Sequence, residues 1–181
     1  MHARTFAPIL AATLAAAGQA HAVPTDTDAP ALAARVVTYD AGASAEFRAA
    51  VDRGAAIWNE SVDSVELRPA ATGQRANIRI LADNGWPRAL TTSLGNGTVY
   101  MGRQAVSQGY DTVRISAHEL GHILGLPDRK PGPCSSLMSG SSAGVSCTNP
   151  YPDASEKAEV EDNFALAPAR PAGVRGQPVV D

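Results

Sequence analysis

The chain has 181 residues, 44% of them hydrophobic, with a net charge of −3 and no run of Lys or Arg. That length allows one domain with a sizeable core. The mild acidity excludes the electrostatic footprint of a nucleic-acid binder or of a protein held on an anionic membrane.

Residues 1–22 read as a secretory signal peptide. Arg4 supplies the positive start, residues 6–17 the apolar stretch, and Ala20-His21-Ala22 a small-x-small cleavage site. The apolar stretch is too short to span a bilayer and contains Pro8. The expected product is therefore secreted and extracellular. Residues 23–34 read as a short pro-segment or linker, residues 35–167 as the folded domain, and residues 168–181 as a flexible C-terminal tail.

Within the domain, residues 35–39 suit a first strand. Residues 44–60 follow as an amphipathic helix, with Ser44 as N-cap and Phe47, Ala50, Val51, Gly54, Ile57 and Trp58 facing inward. Residues 64–68 and 77–81 are short strands, the second with Ile78 and Ile80 on one face. Residues 89–94 and 98–101 flank Gly95-Asn96-Gly97, a hairpin signal. Trp86 just before it suits packing, with the wall of a cleft as the alternative. A helix then opens at Tyr110-Asp111-Thr112, capped by Asp111 or Thr112, with Val113, Ala117, Leu120 and Leu124 as its buried stripe. Residues 153–166 suit a closing helix with Val160 and Phe164 inward.

The chemistry is concentrated in residues 118–128. His118-Glu119-Leu120-Gly121-His122 on a helix places two imidazoles one turn apart, able to share one zinc ion. Glu119 beside them has the placement of a general base toward a Zn-activated water. A catalytic zinc takes three protein ligands and keeps an open position. Gly125 allows a left-handed turn at the helix end, and Asp128 three residues later supplies a carboxylate. His2 and His21 lie in the leader, so the domain has no third imidazole. Cys134 and Cys147, an even pair in an exported chain, are expected to form a disulfide around a short loop.

The spacing H-E-x-x-H-x-x-G-x-x-D resembles the snapalysin family, small secreted bacterial neutral proteases of the metzincin clan with Asp as third zinc ligand. Pro131-Gly132-Pro133-Cys134-Ser135-Ser136-Leu137-Met138-Ser139-Gly140, Ser146-Cys147-Thr148-Asn149-Pro150-Tyr151-Pro152 and Ile57-Trp58-Asn59 resemble it too, and the likeness runs over residues 35–164. The resemblance implies an α+β, metzincin-like fold. Its parts are a small twisted mixed sheet with an antiparallel edge strand above the cleft, a long N-terminal helix, a zinc-binding helix, a Met-turn and a C-terminal helix. It implies one Zn²⁺ on His118, His122 and Asp128, Glu119 as catalytic base, and Met138 as the apolar floor of the Met-turn. It also implies Ca²⁺ on Asp111 and the carbonyl of Val113.

The function so implied is a zinc metalloendopeptidase acting on protein or peptide substrates, as a monomer without nucleic-acid or membrane partners. Relatives carry a tyrosine two residues after the aspartate, where this chain has Arg129-Lys130. Lys130 could donate to the reaction oxyanion or point into solvent, with solvent the favoured reading, and Tyr151 is the phenol left open as a substitute. The rival readings are an exported binding protein without catalysis and a closed, zinc-stabilised structural module. The second needs a fourth protein ligand.

Overall fold

The structure, a computed structural model, describes residues 33–165. The signal peptide, nearly all of the 23–34 segment and the 168–181 tail lie outside these residues. Five strands form one sheet in the order β2-β1-β3-β5-β4. They are β1 (Arg35–Ala43), β2 (Val65–Pro69), β3 (Ile78–Asp83), β4 (Arg88–Ser93) and β5 (Asn96–Gly102). Strands β2, β1, β3 and β5 pair in parallel, and β4 turns back antiparallel on β5. The fold is thus a mixed α+β domain with a mostly parallel sheet, and β4 is its outer strand.

Alternation decides which side chains enter the core. Val37 and Tyr39 of β1 and Ile78 and Ile80 of β3 are buried on one face, with Val99 and Met101 of β5 beside them. Helix α1 (Arg48–Asn59) covers that face with Val51, Ala55, Ile57 and Trp58. Trp58 is fully buried, and its indole N–H donates to the Ala117 carbonyl at 2.8 Å, so its role is in the core.

The expected N-cap of this helix is corrected. Ser44 sits in the αR region before a 3₁₀ turn, Ala45–Phe47, and its hydroxyl donates back to the Ala41 carbonyl at 2.7 Å. The hydroxyl competes for a carbonyl upstream and leaves the first N–H groups to the 3₁₀ turn.

A short helix, α2 (Arg103–Ser107), follows β5 and has no counterpart in the sequence reading. Helix α3 (Thr112–Ile123) carries the H-E-x-x-H segment and packs on α1. Its N-cap is Asp111, whose carboxylate accepts the Arg114 N–H at 2.7 Å. Helix α4 (Ala154–Ala165) closes the domain with Val160 and Phe164 inward. No helix among the described residues is long and apolar enough to cross a membrane.

The buried stripe of α3 needs one correction. Ala117, Leu120 and Leu124 are in the core, but Val113 is only half-buried, and Arg114 next to it is 6% exposed. The Arg114 guanidinium donates to the carbonyls of Ser136 (2.8 Å), Leu137 (3.3 Å), Cys134 (3.4 Å) and Asn149 and to the Ser139 hydroxyl (2.9 Å). A planar fork with five donors can serve a loop in this way, and valine cannot.

That loop is closed by the Cys134–Cys147 disulfide and contains a 3₁₀ stretch, Leu137–Ala143. Glu156 of α4 grips it from the other side. Its fully buried carboxylate accepts from Leu137 N (3.0 Å), Met138 N (2.9 Å) and the Ser136 hydroxyl (2.6 Å). The loop backbone is therefore held between a buried cation that takes its carbonyls and a buried anion that takes its N–H groups.

Candidate metal centre

Helix geometry puts His118 and His122 on one face of α3, with their Nε2 atoms 3.2 Å apart. The end of the helix supplies the third group. Gly125 has φ +97°, and the N–H groups of Gly125 and Leu126 bond back to His122 O (3.1 Å) and Gly121 O (3.0 Å). This is a Schellman termination, which favours glycine at that position. The chain turns there and returns along the site. Asp128 Oδ1 comes to 3.3 Å from His118 Nε2 and 3.6 Å from His122 Nε2.

The backbone fixes both rings. His118 Nδ1 lies 3.0 Å from the Leu137 carbonyl, and His122 Nδ1 lies 2.8 Å from the Leu126 carbonyl. A carbonyl can only accept, so each Nδ1 carries the hydrogen, and with the rings neutral each turns a lone pair toward the other and toward Asp128. Three acceptor atoms thus converge without a hydrogen between them. Burial, and then the neighbouring His118, push the His122 pKa below its ordinary value, which disfavours relief by protonation there. Where His118 Nε2 instead carries a proton, the hydrogen bond it gives Asp128, backed by Lys130, holds that carboxyl well below the usual carboxylate range.

A divalent cation relieves this convergence, and the spacing suits one. Ligand bonds of about 2.0–2.2 Å in a tetrahedral site give ligand–ligand edges of roughly 3.3–3.6 Å. The three observed separations are 3.2, 3.3 and 3.6 Å. Among the described residues, these three side chains form the group of His, Cys, Asp and Glu donors able to hold a metal ion.

Glu119 is 5% exposed, and its Oε2 has no hydrogen-bond partner. Burial pushes its carboxyl up to about 7. A buried carboxylate left without a partner is costly. The group lines a cleft of about 690 Å³ together with the three ligand candidates. Arg88 and Ala89 of β4 form part of the wall, and Trp86 and Tyr110, packed edge to face, form another part. Trp86 therefore lies on the cleft, 39% exposed, rather than only in packing.

Met138 is fully buried under α3. A side chain at Gly121 would meet its sulfur at 2.8 Å and the Trp58 ring at 3.1 Å, so Gly121 leaves the space in which that sulfur sits. The Leu137 carbonyl that orients His118 belongs to the preceding residue of the same loop.

Other expected residues fall elsewhere. The Tyr151 hydroxyl bonds to Arg53 (2.6 Å) and Glu60 (3.0 Å), away from the cleft. Lys130 is exposed, as expected, and its ammonium also lies on the cleft wall, 2.9 Å from Asp128 Oδ2. Asp111 serves as a helix cap, and no cluster of carboxylates or imidazoles gathers beside it among the described residues. The calcium expectation for Asp111 and Val113 thus rests on resemblance alone. Arg114 and Glu156 are absent from the sequence reading. For Glu156 a signal exists: Asp153-x-x-Glu156 is a capping box, in which Glu156 accepts from Asp153 N at 2.7 Å.

The fold and centre define an α+β domain with two imidazoles and a carboxylate converging at the floor of an open cleft. The chain belongs to the Streptomyces extracellular neutral proteinase (M7) family, whose model matches residues 34–167. It is 42% identical over 135 residues to an extracellular small neutral protease of Streptomyces lividans, a match that covers 75% of this chain and 59% of that protein. With the protein of the same description from Streptomyces caespitosus it shares 44% identity over 131 residues, 71% of this chain and 96% of the relative. The chain thus spans about three fifths of the length of the Streptomyces lividans relative and nearly all of the Streptomyces caespitosus one.

Proposed function

We propose that this chain is a secreted, extracellular zinc metalloendopeptidase that hydrolyses protein or peptide substrates. The observation that carries the reading is the set of three near-equal separations among His118 Nε2, His122 Nε2 and Asp128 Oδ1, all lone-pair atoms facing one point. Membership of a family described as neutral proteinases supports it.

His118, His122 and Asp128 would hold the ion. Bound there, Zn²⁺ supplies a Lewis acid for a scissile carbonyl and for a water nucleophile. The carbonyls of Leu137 and Leu126 keep both imidazoles in the tautomer that leaves Nε2 free to ligate. Glu119 is the general base. Its buried carboxylate, with Oε2 free of any partner, can accept a proton from the water and return it to the leaving amine. The outer strand β4 offers its free edge to an extended peptide, which can bind through main-chain hydrogen bonds. Gly125 turning Asp128 inward and Met138 packed beneath the helix suit a metzincin-like arrangement. In this reading residues 1–22 are the exported signal, residues 35–167 the catalytic domain, and residues 23–34 and 168–181 its flanks.

The reading is tested by casein digestion with the purified protein. Digestion is expected to stop on addition of a zinc chelator and to return when zinc is restored. Digestion that persists at full rate in excess chelator, or no digestion by zinc-loaded protein, contradicts it.

A further inference from the structure

Asp128 is held differently from the two histidines. His118 and His122 stand on a helix, and each has its Nδ1 on a backbone carbonyl. Asp128 lies beyond the helix in irregular chain, with its side chain 45% exposed. Its two oxygens do different things. Oδ1 faces both Nε2 atoms, and Oδ2 accepts from Lys130 Nζ at 2.9 Å.

The lysine stem lies against Gly140. A side chain at Gly140 would come within 2.7 Å of Lys130 Cε, 3.3 Å of its Nζ and 3.1 Å of His118 Cε1. Gly140 also has φ +52° and ψ −131°, a backbone conformation that disfavours any residue with a Cβ. The slot between the His118 ring and the Lys130 stem is therefore shaped by the lack of a side chain there.

We propose that Lys130 is a positioning residue of the metal centre: its ammonium occupies Asp128 Oδ2 and thereby commits the carboxylate to the ion through Oδ1 alone. The inference rests on the reading of His118, His122 and Asp128 as a zinc site. A half-exposed aspartate on a loop has two torsions to lose and two oxygens to offer, and a fixed partner on one oxygen removes both freedoms before the metal arrives. Charge alone acts in the opposite direction. An ammonium close to the site repels a divalent cation, so a lysine acting only as a charge weakens metal binding, and its removal tightens it.

The opposite signs make the test. The full zinc-loaded chain, as wild type, Lys130→Met and Lys130→Arg, is titrated with a competing chelator. Cobalt(II) is then substituted for zinc and its visible absorption recorded. Lys130→Met is expected to hold zinc roughly tenfold more weakly, in line with loss of a hydrogen-bond partner behind a metal ligand. Its cobalt spectrum should change in intensity, because a released carboxylate can bind through both oxygens and raise the coordination number. Lys130→Arg, which keeps a donor and the charge, should lie closer to wild type in both. Unchanged melting of the metal-free variants shows that the fold is intact. Zinc held as tightly or more tightly by Lys130→Met overturns the inference, whatever the cobalt spectrum. Wild-type protein that holds no stoichiometric zinc overturns instead the reading on which it rests.

Discussion

Glu119→Gln is expected to lower peptidase activity by about a hundred- to ten-thousand-fold, the usual contribution of a general base, while zinc content stays unchanged. The substituted amide has nearly the same shape as the carboxylate and removes no ligand, so only proton transfer is lost. The same variant should be more stable than the metal-free wild type at neutral pH. Burial raises the Glu119 carboxyl from 4.5 to about 7 in the folded chain. The folded state therefore binds that proton more tightly than the unfolded state does. Its favourable contribution is complete below about 4.5 and is lost as pH rises to about 7. A neutral amide has no such loss, so the stability gap between variant and wild type should open across that window. Activity assays, zinc analysis and melting curves of the chelated proteins at several pH values check the three parts. Equal activity in variant and wild type, with contaminating protease excluded, contradicts the assigned role.

Glu156→Ala is expected to destabilise the chain by roughly 3–5 kcal/mol, the range seen when one partner of a buried ionic arrangement is removed. The reason is the number of donors left behind. The carboxylate accepts from Leu137 N, Met138 N, Asp153 N and the Ser136 hydroxyl, all within 3.0 Å. Each buried donor without a partner costs about 1–3 kcal/mol, reduced where water can enter. The Arg114 guanidinium, with its pKa lowered by burial, then loses one of its two nearby counter-charges and keeps Asp111. The damage should reach the metal centre. The Leu137 carbonyl that orients His118 is on the same loop, so zinc affinity should fall together with stability. Chemical denaturation of the metal-free variant measures the first effect and chelator competition the second. A loss of under about 1 kcal/mol would show that the disulfide and Arg114 hold the loop without Glu156.

What could be read from the sequence follows the range of the interactions involved. The H-E-x-x-H spacing, the turn at Gly125 and the alternation of Ile78 and Ile80 are local, and helix or strand geometry translates them directly into space. Strand ends moved by one to four residues, as at β1, which runs on to Ala43, because pairing with β3 extends it beyond its own pattern. The failures are tertiary. Periodicity places Val113 inward, yet the neighbouring arginine is buried because five acceptors from residues 134–149 converge on it. Nothing local in α3 announces that loop. Glu156 carries a capping-box signal, but its reach to Leu137 and Met138 depends on where α4 docks. Charge alone puts Lys130 at the surface, where it is, but does not bring its ammonium to Asp128. Its actual position follows from Asp128 turning inward and from the space beside Gly140. Helix α2 is five residues long, too short for a periodic pattern to show.

The most direct test of the account is the zinc stoichiometry of Asp128→Ala beside wild type after dialysis against a weak chelator. With two imidazoles left, the centre should lose most of its affinity. Wild type is expected to retain a single zinc per chain. Asp128→Ala is expected to lose both the metal and peptidase activity. Retention of one tightly bound zinc by Asp128→Ala, with normal turnover, would contradict the account and place the third ligand on another group.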